Sequence, residues 1–98
     1  MTRSDVLKAA DKCVNGQRQT DYGTPEDNFT IIANLWNDYL RGNFINATDV
    51  SMMMALLKIA RIKSGNATED SFVDLAGYAA CGGEIATKED NVKEISNE

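Results

Sequence analysis

Apolar residues recur along this chain at intervals of three and four, and nowhere in a sustained alternation of two. Val6, Leu7, Ala9, Ala10, Cys13 and Val14 follow the helical period between Asp5 and Asn15. Ser4 in front is the expected N-cap, and Gly16 behind is the expected left-handed stop. A second start is sharper: Thr24 as N-cap, Pro25 at the first helical position, then Glu26 and Asp27 at the positive end of the dipole. Phe29, Ile32, Ala33, Trp36, Tyr39 and Leu40 form its stripe, which Gly42 closes. The third helix begins at Asn46, with Asp49 placed three residues on as in a capping box, reads from Val50 to Lys63, and stops at Gly65-Asn66. The fourth follows Thr68, carries Glu69 and Asp70 in its first turn, and runs through Ala76, Tyr78 and Ala80 to about Ala86. The pattern predicts an all-α chain, a compact bundle of about four helices.

Two of these helices are unusual. From Met52 to Ile62 the third is apolar nearly all round, where a surface helix shows one stripe. It is therefore either central or covered by another chain. The fourth carries Ala76, Gly77, Ala79, Ala80, Gly82 and Gly83, small residues that let a neighbouring backbone approach closely. A chain of this size buries a limited core, so the expectation is a homo-oligomer, most simply a dimer that buries the third and fourth helices. The consecutive Met52, Met53 and Met54 read as adaptable packing.

Composition narrows the chemistry. The 98 residues contain no His, which removes imidazole bases, Ser-His-Asp triads and most zinc sites. Cys13 and Cys81 form no CxxC pair and read as buried small hydrophobes. No run approaches the length of a membrane span, and the N-terminus lacks the apolar core of a secretory signal, so no membrane partner and a cytoplasmic setting are expected. The net charge of −5 has the wrong sign for coating nucleic acid. Its distribution matters more: residues 84–98 hold five acids against two bases, and the rest of the chain is close to neutral. This divides the chain into one helical domain over residues 1–86 and an acidic tail or helix extension over 87–98.

Two places could carry chemistry. The segment 18–29 joins two helices yet is dense in polar and aromatic side chains; the amides that open the second helix, with Arg18 beside them, offer an anion site, although Glu26 and Asp27 sit on the same end. Lys58 and Arg61 are neighbours on one helix face, as are Asp70 and Asp74 on the next, and a short connection brings the two pairs together. They form either a structural ion-pair cluster or a site in which Lys58 and Arg61 hold phosphates while Asp70 and Asp74, with Asp49, hold Mg²⁺.

The string Arg18-Gln19-x-Asp21-Tyr22-Gly23-x-Pro25-Glu26-Asp27-Asn28-Phe29 leads a longer signature. Asp49-Val50, Leu57-Lys58-Ile59-Ala60-Arg61 and Asp70-Ser71-Phe72-Val73-Asp74-Leu75-Ala76-Gly77-Tyr78 complete it. Over residues 15–85 the chain resembles a small phage and prophage family of unknown function. It is also distantly similar to the all-α MazG-type nucleoside triphosphate pyrophosphohydrolases, which bind Mg²⁺ through ExxE and ExxD pairs in dimers or tetramers. The resemblance implies a MazG-like oligomeric fold and the cytoplasm of a bacterial host. The carboxylate pairs depart from that pattern: Phe29 lies three residues after Glu26, and Met52 three after Asp49. Three functions follow. The leading one is a nucleotide-sensing or nucleotide-sequestering protein with little or no catalysis, with Arg18, Lys58 and Arg61 on phosphates and Tyr22 or Trp36 stacking on a base. The second is a Mg²⁺-dependent pyrophosphohydrolase with an altered carboxylate set. The third is a small acidic inhibitor that acts by contact with a host protein.

Overall fold

The computed structural model describes residues 1–16, 20–21, 23–65 and 68–89. Four helices account for most of them: α1 (Arg3–Asn15), α2 (Pro25–Leu40), α3 (Ala47–Lys63) and α4 (Glu69–Glu89). No strand occurs among the described residues, and none of their helices is long and apolar enough to cross a membrane.

Local chemistry sets the starts. Thr24 accepts the Asp27 N–H at 3.2 Å, with Pro25 in the first turn as expected. Asn46 and Asp49 form a complete capping box, each side chain accepting the other residue's backbone N–H. The cap of α1 is Thr2 rather than Ser4: Thr2 and Asp5 make a reciprocal box of the same kind, which a single hydroxyl at Ser4 would have to outcompete.

The helix ends depart further from expectation. Gly16 closes α1 at φ −110°, outside the left-handed region. After α2 it is Arg41, at φ 59°, that turns left-handed, and its N–H returns to the Asp38 carbonyl. Gly42 serves a different end, since a Cβ there would collide with the ring of Phe44. The fourth helix continues to Glu89, past the expected boundary at residue 86; residues 90–98 lie outside the described residues.

The helices pack in the order α1, α4, α3, α2, and α2 meets α4 through side chains, Phe29 against Tyr78 and Glu26 against Lys88. Phe29, Ala33, Val50, Cys81 and Ile85 form the core, with Trp36, Ile45 and Tyr78 packed around it. Small residues allow the close approaches. A Cβ on Gly82 would sit 2.7 Å from Ser51 Oγ, and one on Gly77 would sit 3.2 Å from Val14 Cγ1. Ser51 is fully buried, and its hydroxyl donates to the Tyr78 carbonyl, so α3 and α4 are joined by a polar bond inside the core. Asn37, also buried, holds the turn between α2 and α3: it accepts from the Phe44 and Ile45 N–H groups and donates to the Ile45 carbonyl, each at 2.8–2.9 Å.

Candidate cleft between the first and fourth helices

A cleft of about 660 Å³ lies between α1 and α4 over the start of α2. Each helix contributes one stripe at helical spacing: Ala9, Lys12 and Cys13 from α1, followed by Gly16 just past its end, and Asp74, Gly77, Tyr78 and Cys81 from α4. Gly23, Pro25, Asn28 and Phe29 close one end, and Lys58 reaches in from α3. The walls are mainly apolar. Phe29 and Tyr78 supply rings whose centroids lie 6.1 Å apart at 32°.

The charged residues of the cleft are Lys12, exposed on α1, and one ion pair. Lys58 Nζ lies 3.0 Å from Asp74 Oδ2, and the lysine side chain is only 12% exposed, against 40% for the aspartate. A buried ammonium needs a partner, and Asp74 provides it from the solvent side. The pair leaves Lys58 two further N–H donors at the wall of an apolar hollow. A second ion pair lies outside the cleft: Lys88, near the end of α4, donates to Glu26 Oε2 at 2.8 Å and also lies near Glu84. The bond from Lys88 holds the Glu26 carboxyl below its ordinary range and raises Lys88 in turn. One of the two acids expected to repel an anion at the start of α2 is thereby paired.

The structure thus joins some of the expected site residues and separates others. Lys58 and Asp74 come together as the hairpin predicts, whereas Arg61 and Asp70 are exposed and line no part of the cleft. Asp49 is occupied in the cap of α3. Among the described residues no three carboxylate, Cys or His side chains converge to hold a metal ion, so Asp49, Asp70 and Asp74 are not one cluster. Trp36 lines a separate groove, with Tyr39, Leu40, Ile45 and Met53. Arg18 and Tyr22 lie outside the described residues, on the stretch of chain that joins the cleft residues Gly16 and Gly23. Cys13 is exposed, contrary to expectation, because its stripe of α1 faces the open cleft; Cys81 is buried, and the two form no disulfide.

Several cleft residues escaped the sequence reading, namely Lys12, Gly77 and Tyr78. Their signal was available in Asp74-Gly77-Tyr78-Cys81, a mixed polar and aromatic stripe at the spacing normally filled by core residues.

Similarity to known proteins bears on the same region. The chain is 46% identical over 74 residues to the Gene 55 protein of Mycobacterium phage L5, which is 76% of this chain and 47% of that one. It is 43% identical over 76 residues to the Gene 55 protein of Mycobacterium phage D29, covering 78% of this chain and 50% of the relative. The chain therefore spans about half the length of the curated relatives it matches. No solved structure matches it. The model of a domain of unknown function, DUF6378, matches residues 5–86, a span that takes in α2, α3, most of α1 and α4 and every cleft residue named above, and the chain belongs to that family.

Proposed function

We propose that the cleft binds a nucleotide, and that the protein senses or sequesters this ligand rather than turning it over. The observation that carries the reading is the combination of a cavity of about 660 Å³, within the ~300–1,000 Å³ usual for small-molecule sites, with one nearly buried lysine on its wall. Apolar and aromatic lining suits a planar base, and Lys58 suits a phosphate. Asp74 shares Lys58, so an anionic ligand gains the ammonium by displacing that carboxylate toward solvent. Any Mg²⁺ would enter with the ligand's phosphates, with Asp74 as the carboxylate within the cleft. The cytoplasm of a bacterial host is the setting in which phage proteins similar to this one would meet such a ligand.

Thermal unfolding with a panel of ribo- and deoxyribonucleotides, with and without Mg²⁺, tests the reading. At least one nucleotide should raise the midpoint, and Lys58→Met, which keeps the apolar stem, should abolish the rise. In Mg²⁺-free buffer Asp74→Asn should tighten binding, because it removes both a competitor for Lys58 and a repelling charge. A flat panel, or binding unchanged in Lys58→Met, overturns the assignment. Release of pyrophosphate from a bound triphosphate would replace the binder with a hydrolase.

A further inference from the structure

The outer face of α3 is apolar and lies away from the cleft. At about 100° per residue, Leu56 marks its centre; Met52, Met53, Ile59 and Ala60 flank it, and Asp49 and Lys63 fall on the same line at the two ends. Leu56 is 62% exposed, and Met52, Met53 and Ile59 are exposed beside it. Positions 49, 53, 56, 60 and 63 alternate steps of four and three, the spacing of a seam between two packed helices. Beyond Met53 the apolar surface continues onto α2 through the groove lined by Trp36, Tyr39 and Leu40.

We infer that this face is a homodimer interface, in which α3 packs antiparallel on α3 of a second copy about a two-fold axis through Leu56. Charge selects the occupant and its direction. Asp49 and Lys63 are the only charged residues on the seam, of opposite sign and each seven residues from Leu56. Antiparallel pairing sets each Asp49 against Lys63 of the partner subunit, and places Met53 level with the partner's Ile59 and Met52 level with the partner's Ala60. Parallel pairing would stack like charges at both ends. A two-fold contact needs a self-complementary surface, and this face is one. Asp49 accepts the Asn46 N–H through Oδ2 at 3.0 Å, which leaves its other oxygen for the cation. The small residues of α4 take no part, because Gly77 and Gly82 are used against α1 and α3 of the same chain.

Sedimentation and light scattering of the 98-residue chain, from sub-micromolar to near-millimolar concentrations, test this, with circular dichroism to follow helix content. The wild type should reach twice the chain mass. Leu56→Asp sets two carboxylates across the axis and should raise the dimer dissociation constant at least ~100-fold with helix content retained. Lys63→Glu places acid against acid at both ends and should weaken the dimer by about tenfold. Adding Asp49→Asn, whose oxygen still accepts the capping N–H, should recover most of that loss. A chain monomeric at every concentration overturns the inference and leaves the face to a different protein. Dimers indifferent to Leu56→Asp, or a Lys63→Glu defect that Asp49→Asn fails to relieve, overturn the antiparallel pairing.

Discussion

The two sides of α3 are built from opposite materials. Toward α4 the helix presents Ala47, Val50, Ser51 and Ala55, all buried, and the neighbouring backbone comes close enough for Gly82 to meet Ser51. Toward solvent it presents Met53, Leu56, Leu57 and Ile59, all exposed, while the half-exposed Met52 reaches with its tip to Gly82. Bulk lies outside and small side chains lie inside, the reverse of a surface helix in a monomer. Close packing between α3 and α4 needs small residues, so large apolar residues on the other face are available for something else. The difference shows that an all-round apolar helix can serve two interfaces of different kinds: a tight fixed one within the chain and a broad adaptable one beyond it.

The strongest way to break this comparison is to truncate one residue on each side. Val50 is fully buried, so Val50→Ala should cost ~2 kcal/mol through lost burial and the cavity left behind. Leu56→Ala in dilute solution should stay within ~0.5 kcal/mol of wild type. Its larger effect should appear only at concentrations where copies associate. Urea unfolding at several protein concentrations measures both. If Leu56→Ala destabilises the dilute chain as much as Val50→Ala, the two faces are not different in kind.

A finer test uses two adjacent glycines of α4. At Gly82 an added Cβ would lie 2.7 Å from Ser51 Oγ and 3.1 Å from Ser51 Cβ, while at Gly83 nothing lies within 4 Å. Ser51 is held by its bond to the Tyr78 carbonyl and cannot swing aside without breaking it. Gly82→Ala should therefore lose about 1–2 kcal/mol, overpacking outweighing the gain in helix propensity. Gly83→Ala should gain up to ~1 kcal/mol from propensity alone. Opposite signs in thermal midpoints one residue apart would locate the tight interface; equal signs would remove it.

What the sequence made legible follows the range of the interactions. Caps are local, so Thr24, Pro25, Asn46 and Asp49 announce their helices. Even the misplaced start of α1 left its mark in Asp5, three residues after Thr2. Where a residue answers to something distant, local rules fail. Arg41 takes the left-handed position normally given to glycine because Gly42 is needed beneath the Phe44 ring. Asn37 lies on the apolar stripe of α2 with Phe29 and Ala33 because the turn at 44–45 requires a buried clamp, which spacing alone does not reveal. Of the candidate site, the Lys58–Asp74 contact was readable because a hairpin joins two helices of known phase. The cleft itself was not, since it depends on how α1, α4 and the start of α2 are placed in space. The carboxylate at Asp49 illustrates a further ambiguity: one residue type serves a cap or a metal equally well in sequence, and here the cap holds it.

The smallest effect belongs to the pair that links the start of α2 to the end of α4 across solvent rather than through the core. Lys88 hydrogen-bonds Glu26 and holds its carboxyl below the ordinary value of 4.5, and Lys88 is raised above 10.5 by the same contact. A depressed carboxyl stabilises the fold fully above its unfolded value, and that contribution disappears as pH falls through the lowered folded value. The raised lysine contributes below its unfolded value and loses its share only in strong alkali. Glu26→Gln should therefore be slightly less stable than wild type at neutral pH, and the gap should close below pH 4.5 as the wild-type carboxyl protonates. Both partners are solvated, so the shift in unfolding midpoint should be smaller than for any core variant. Denaturation midpoints at a series of pH values down the acid limb measure it. A gap that persists undiminished in acid would mean that Glu26 acts through packing, and the contrast between core-held and water-held contacts would then need redrawing.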